Sequence, residues 1–256
     1  MELTERHVEG LKHLLYNMAD DLLILGHRNS EWTGMGPILE EDIAFSSMAQ
    51  DKIGQSLALY NILHEMGEQE PDVVAFTRNS TNFHCAKLVE LPIGEYDFSL
   101  VRHFLYDYAD AVKFDMLSKS IFEPLAQVCR KFRGELKYHT MHANIWIKDL
   151  TNGNEESKKR MQDSLNLAYP IAYSLFETNE YEAELKEAGI FAGESEQKKI
   201  WKKEVDAVIL ESGLTIPMVK NEEDHHGGRV GNHTEHLQPL LDEMTEVFQI
   251  DPTADW

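Results

Sequence analysis

The sequence predicts an all-α fold built around long helices, and three observations predict it. Apolar residues recur at every third or fourth position over several long stretches. No stretch alternates apolar and polar residues for long enough to form a strand. Most of the glycine, proline and asparagine falls in a few intervals between the periodic stretches.

Leu11, Leu14, Leu15, Met18, Leu22 and Leu25 set the buried stripe of a first helix over about residues 4–27, with Gly26 as its stop. A turn carrying Gly34, Gly36 and Pro37 leads into a second helix from Ile38 that closes at Gly67. This helix is apolar around most of its circumference, which predicts a central position. Residues 68–97, with Pro71, Asn79, Asn82, Pro92 and Gly94, read as a long irregular connection with short helical turns. Helical periodicity returns over about 98–119, 123–150 and 155–176, and after a loop-rich interval at 178–195 it returns over 196–212. A glycine-rich loop from His225 feeds a last helix, with Asn232 or Thr234 as cap and Leu237, Leu240, Leu241 and Met244 as its buried stripe. Two long helices, a long crossing connection and two more long helices describe a ferritin-like four-helix bundle with additional helices. One domain is expected over residues 1–256, with the loop and helix of about 220–250 packed on the bundle.

The composition narrows function by exclusion. A net charge of −21 opposes nucleic acid or an anionic membrane as partner, because a phosphate-tracking surface needs clustered Lys and Arg. It suits a basic partner surface, or serves solubility alone. No apolar run approaches the roughly 18 residues of a membrane span, and "MELTERHVEG" lacks both parts of a secretory signal, so a cytoplasmic address is expected. Cys85 and Cys129 stand far apart, fit no C-x-x-C pattern and read as buried thiols. No phosphate-cradling loop or G-x-S-x-G elbow occurs.

The stretch "GELKYHTMHANIW" places Glu135, His139 and His142 on one helix and raises the question of a metal site. A di-iron bundle takes one carboxylate from each of two helices and Glu-x-x-His from each of the other two, because i and i+3 share a face. The long helices offer Asp51-x-x-Gly54 or Lys52-x-x-Gln55, and Glu135-x-x-Tyr138 or Leu136-x-x-His139, so neither half is complete. Helical geometry aims Lys52, Asp107 and His139 at the core. An inward ammonium needs carboxylates; Asp107, Glu135 and, more weakly, Asp21 have the spacing to supply them. The expected arrangement is a metal-free polar network of Lys52, Gln55, Asp107, Glu135 and His139. The ordinary alternatives are a satisfied core histidine at His139 and a Lys52 that snorkels to solvent. A rival metal candidate lies near the C-terminus, where Glu222-x-x-His225, Glu223-x-x-His226 and His233-x-x-His236 occur. Gly227, Gly228 and Gly231 interrupt it, so adventitious zinc or nickel on His225, His226, His233 and His236 is favoured over a specific site.

With those residues in view, the chain resembles the structural C subunits of the ring-1,2-phenylacetyl-CoA epoxidase family, a multicomponent monooxygenase of phenylacetate catabolism. The stretches that carry the resemblance are "LGHRNSEWTGMGPILEEDIA", "AQDKIGQSLALY", "AFTRNSTNFHCAKLVELPIGEYDFSLVRHFLYD", "ELKYHTMHANIWIKDLTNG" and "GNHTEHLQPLLDEM", in order over nearly the whole chain. The resemblance implies a paralogue of a ferritin-like catalytic subunit whose two Glu-x-x-His motifs fall here on Lys52-x-x-Gln55 and Leu136-x-x-His139, so that only His139 survives. It further implies that iron sits in the catalytic partner, that a reductase brings electrons from NADPH, and that this chain scaffolds the partner within a hetero-oligomer. Lys87 and Arg102 are the basic residues considered for contact with a CoA thioester at the subunit boundary.

Three functions are compatible with these residues. The first is a non-catalytic scaffold subunit. The second is a di-iron oxygenase or iron-binding protein with a divergent site of Asp51, Asp107, Glu135, His139 and His142. The third is a stand-alone helical binding protein, which no residue specifically favours. Lys52 separates the first from the second, because an inward lysine repels a dication.

Overall fold

The computed structural model describes residues 3–252, and these contain helices but no strand. Helix α1 spans Glu5–Ser30 and opens on a capping box between Thr4 and His7. It continues past Gly26, the expected stop. A Cβ at Gly26 would stand 3.0 Å from Ile53 Cγ1 and 3.2 Å from the Ala49 carbonyl, so this glycine lets two helices approach and ends neither. Helix α2 spans Leu39–Glu65 and stops where Gly67 turns left-handed at φ +94°.

The crossing connection holds α3 (Pro71–Phe76) and α4 (Lys87–Glu90). Helix α5 follows at Tyr96–Leu117. Where one helix is expected over 123–150 there are two, α6 (Glu123–Lys131) and α7 (Arg133–Gly153). They part at Phe132, whose backbone sits at φ −89°, ψ 2° while its ring is buried, two residues before the weak helix former Gly134. Helix α8 (Glu155–Ile171) tightens into a 3₁₀ turn over Ala172–Phe176, just after Pro170, which has no N–H to donate. The interval expected as loop contains α9 (Glu182–Glu187), and α10 (Glu194–Glu211) and α11 (Leu237–Thr245) are the last α-helices among the described residues.

Helices α1 and α2 pack along each other, as do α5 and α7. Ser56 donates to the Ala19 carbonyl and Lys12 pairs with Glu68, which sets α1 and α2 antiparallel. Tyr108 joins Asn144 while Phe114 and Leu136 line one cleft, which does the same for α5 and α7. Contacts of Phe45 with His103 and of Lys52 with Asp107 make α2 and α5 parallel, and a parallel neighbour requires the long crossover the sequence shows. Helices α8 and α10 cover the outer side of α5, with Trp201 fully buried and donating to the Leu105 carbonyl at 2.9 Å.

Charged clamps fasten the crossover and the C-terminal loop to α1. Asp20 accepts from Tyr60, Arg78 and the His84 backbone. Asp21, the weaker candidate counter-ion for Lys52, takes a bidentate pair from Arg229 at 2.8 and 2.7 Å and a bond from the Ala86 N–H. It therefore serves the C-terminal loop, because its place on the flank of α1 faces the crossover and not the bundle axis.

Candidate functional site

The long helices converge on Lys52 of α2, whose side chain is fully buried. Its ammonium donates to Asp107 Oδ1 on α5 and lies 4.8 Å from the centre of the Tyr106 ring. His139 of α7 stands between the same two helices. Its Nε2 is 3.0 Å from Asp51 Oδ2, and its Nδ1 is 3.9 Å from Asp107 Oδ1. Gln55 donates to Glu135 Oε2 at 2.8 Å. The five residues Lys52, Gln55, Asp107, Glu135 and His139 thus occupy one zone, as two linked sets: Lys52 with Asp107 and His139, and Gln55 with Glu135 beside them. Lys52 does not snorkel, and His139 donates its hydrogen bond to Asp51 and not to the groups expected.

Three further residues belong to the zone that sequence reasoning does not single out. His103 precedes Asp107 by one turn, and its Nδ1 lies 2.5 Å from Asp107 Oδ2, off the line of an aligned hydrogen bond. The i, i+4 spacing is the signal that points to it. Asp110 follows Asp107 by three residues and is also buried. Glu41 accepts from His142 at 2.9 Å and from Tyr96, at the end of α2 nearer the Phe45–Trp32 cluster.

The electrostatics follow from burial. Burial pushes the Asp107 carboxyl up, but His103 and the Lys52 ammonium outweigh it and hold the group well below the usual carboxylate range. Burial lowers His103 to about 4 despite its contact with Asp107, so at neutral pH the charged pair is Lys52 with Asp107. Asp110 is raised to about 7 by burial, with the Lys52 ammonium opposing and Asp107 adding to the rise.

These residues do not fit a pair of irons. One position of the zone is an ammonium, which cannot ligate and repels a dication. Asp107 is already shared by Lys52 and His103, and Glu135 is held by Gln55. Among the described residues, a single group of three or more His, Cys, Asp or Glu has ligand atoms within 4.8 Å of one another, and it lies elsewhere: Cys85, Glu90 and His233.

The C-terminal histidines are not brought together. His233 meets Glu90 at 2.7 Å, His236 lines a separate cleft, and Glu222 pairs with Lys198 instead of joining His225. Thr234 bonds Glu90 and the His236 N–H, so it sits two residues before His236, the residue at the cap position of α11, while Leu237, Leu240 and Leu241 are buried as expected. Arg102 is fully buried and donates to the Leu91 carbonyl, out of reach of a surface ligand. Lys87 is spent on the His226 carbonyl at 2.5 Å.

The outer face of α2 carries a second feature. Leu39, Ile43, Ile53 and Leu57 fall on one stripe and are exposed, Leu39 by 69% and Ile43 by 61%. On the neighbouring α7, Tyr138, Met141 and Ile145 make a matching exposed stripe. The central position expected for α2 is therefore only half realised within this chain: one flank faces the core and the other is bare. Gly54, between Ile53 and Leu57, and Gly134, near Tyr138, have no atom of the described residues within 4 Å of where a Cβ would be.

Known proteins share this chain's sequence along its length. The family model described as phenylacetic acid catabolic protein matches residues 1–256. The C subunit of the 1,2-phenylacetyl-CoA epoxidase of Escherichia coli (strain K12) is 32% identical over 240 residues, covering 93% of this chain and 96% of that one.

Proposed function

Because the chain belongs to the phenylacetic acid catabolic protein family, we propose that it is a non-catalytic structural subunit of a multicomponent di-iron monooxygenase, the one that epoxidises the ring of phenylacetyl-CoA in phenylacetate catabolism. The observation that carries the reading is the buried Lys52–Asp107 pair between α2 and α5, which supports a polar network in place of the irons of a ferritin-like bundle. The iron belongs to a related catalytic subunit, NADPH supplies electrons through a reductase, and any CoA thioester is met at the interface with the catalytic partner. The cytoplasm is the place for such a complex, and no helix among the described residues is long and apolar enough to cross a membrane.

The bare stripes of α2 and α7 support association. A helix that is apolar on its solvent side leaves that surface in water unless another surface covers it. Gly54 adds to this, since glycine inside a helix costs about 1 kcal/mol relative to alanine and no contact among the described residues requires it. A partner helix crossing close to the α2 backbone would.

Metal analysis and size-exclusion chromatography test both halves of the proposal, on the chain alone and co-expressed with its catalytic subunit. The expected result is iron only where the catalytic subunit is present, and loss of co-elution in Ile43→Glu and Leu57→Glu with an unchanged circular dichroism spectrum. Near-stoichiometric iron in the isolated chain that disappears in His139→Ala would establish the divergent iron site instead. Co-elution undisturbed by both surface variants would remove α2 from the interface.

A further inference from the structure

We infer that Cys85, Glu90 and His233 form a structural site for a divalent, thiol-binding cation, zinc being the ion whose ligand preferences match. The three side chains come from two segments: Cys85 and Glu90 from the crossover, just before α4 and at its end, and His233 from the glycine-rich loop before α11. Cys85 is fully buried, and the side chains of Glu90 and His233 are exposed by 0% and 4%.

The surroundings orient the donors. His233 Nε2–H donates to the Phe83 carbonyl at 3.0 Å, which leaves the Nδ1 lone pair aimed inward. That arrangement, with one imidazole nitrogen on a backbone carbonyl and the other toward the ion, is how metal-binding histidines are held. Glu90 Oε2 accepts from the Thr234 N–H and hydroxyl at 2.7 and 2.6 Å, so Oε1 is the oxygen presented. Nδ1 then faces Oε1 at 2.7 Å, with Cys85 Sγ 3.9 Å from each. Two acceptors cannot face each other without a proton or a cation between them.

The spacing is close to that of a tetrahedral ion. With Zn–S of about 2.3 Å and Zn–N or Zn–O of about 2.0–2.1 Å, sulfur and nitrogen stand about 3.6 Å apart, and nitrogen and oxygen about 3.4 Å. Binding therefore asks the sulfur to close by a few tenths of an ångström and the His–Glu pair to open by about 0.6 Å. A thiolate and a carboxylate neutralise the dication, and three protein ligands leave one position for water. Two protons go to solvent on binding: the thiol proton and the one held between Nδ1 and Oε1. The site ties the C-terminal loop to the crossover, at the point where Gly228 packs so tightly that a Cβ would stand 2.2 Å from the Cys85 carbonyl.

The test uses the full chain, stripped with chelator and titrated with Zn²⁺ by calorimetry and with Co²⁺ by absorption. One equivalent of each ion, a thiolate-to-cobalt charge-transfer band, and retention of both in His225→Ala/His226→Ala/His236→Ala are expected. Cys85→Ser should remove the band and weaken Zn²⁺ at least tenfold, and His233→Ala should weaken Zn²⁺ similarly. Absence of the cobalt–thiolate band in the unmodified chain would overturn the inference whether or not the variants fold. So would Zn²⁺ affinity that survives Cys85→Ser unchanged, or that vanishes in the triple histidine variant, which would mark adventitious surface binding.

Discussion

Replacing Lys52 by methionine isolates the central pair. Methionine keeps the stem of the lysine and nearly its volume, so no cavity opens, and the change removes the ammonium alone. Asp107 is then left fully buried, with His103 Nδ1 at 2.5 Å and His139 Nδ1 at 3.9 Å as its remaining neighbours. Breaking a buried pair by deleting one partner costs about 3–5 kcal/mol, a large share of the roughly 5–15 kcal/mol that holds a domain folded. The loss should be full at pH 8 and smaller at pH 6. The Lys52 charge helps to depress His103, so without it the imidazole binds a proton at higher pH and supplies the missing charge. Burial, the largest cause, still holds the group below its unfolded value near 6.5, so both chains lose stability as pH falls through that value, but the variant loses less. Adding Asp107→Asn removes the orphaned charge while keeping an acceptor for His103, and should recover most of the loss. Urea denaturation followed by far-ultraviolet circular dichroism at both pH values measures all three chains. A single-variant loss below about 1 kcal/mol, or a double variant no more stable than Lys52→Met, would refute the view of this pair as a closed, desolvated unit.

Three other perturbations follow from the same structure. Asp110 has a folded pKa of about 7 against an unfolded value of 3.8, so its contribution is present below 3.8 and lost as pH rises through 7; Asp110→Asn should exceed the parent at pH 8 by up to about 4 kcal/mol and match it near pH 4, as chemical denaturation at the two pH values would show. Gly54→Leu should raise the thermal midpoint of the isolated chain slightly, because the helix gains propensity worth about 1 kcal/mol and meets nothing within 4 Å, yet abolish co-elution with the catalytic subunit; a variant that still co-elutes would show that no partner approaches there. Arg229→Met should cost about 3–5 kcal/mol by stranding Asp21, and limited proteolysis should then cut within residues 220–236 before the bundle is touched.

The helical class, the long crossover and the inward Lys52 are legible in the sequence because each rests on a local pattern: 3.6-residue periodicity, clustered turn residues, and one charged side chain on an apolar face. Gly26 misleads because the same residue that ends helices also lets two helices touch, and only the partner's position distinguishes the two uses. The break at Phe132 leaves little trace, since neither neighbour is proline and its cause is tertiary burial of the ring. Within the site, helical geometry offers Asp107, Glu135 and Asp21 to Lys52, and the structure pairs it with Asp107; helical geometry does not assign Asp51 to His139, because Asp51 sits at the edge of its helix face and is partly exposed. The juxtaposition of Cys85, Glu90 and His233 is out of reach of such reasoning: its members are separated by up to 148 residues and share no spacing rule.

The clamp between Asp21 and Arg229 has a consequence for how the protein is made. The first helix leaves the ribosome carrying an acid that will end enclosed, and the guanidinium that answers it is synthesised 208 residues later. Until then the crossover offers that acid only the Ala86 N–H, at one carboxylate oxygen, and the other oxygen lacks its guanidinium. Completion of this corner therefore waits for the tail of the chain, and any product that stops short of Arg229 carries a built-in defect that quality-control proteases can recognise.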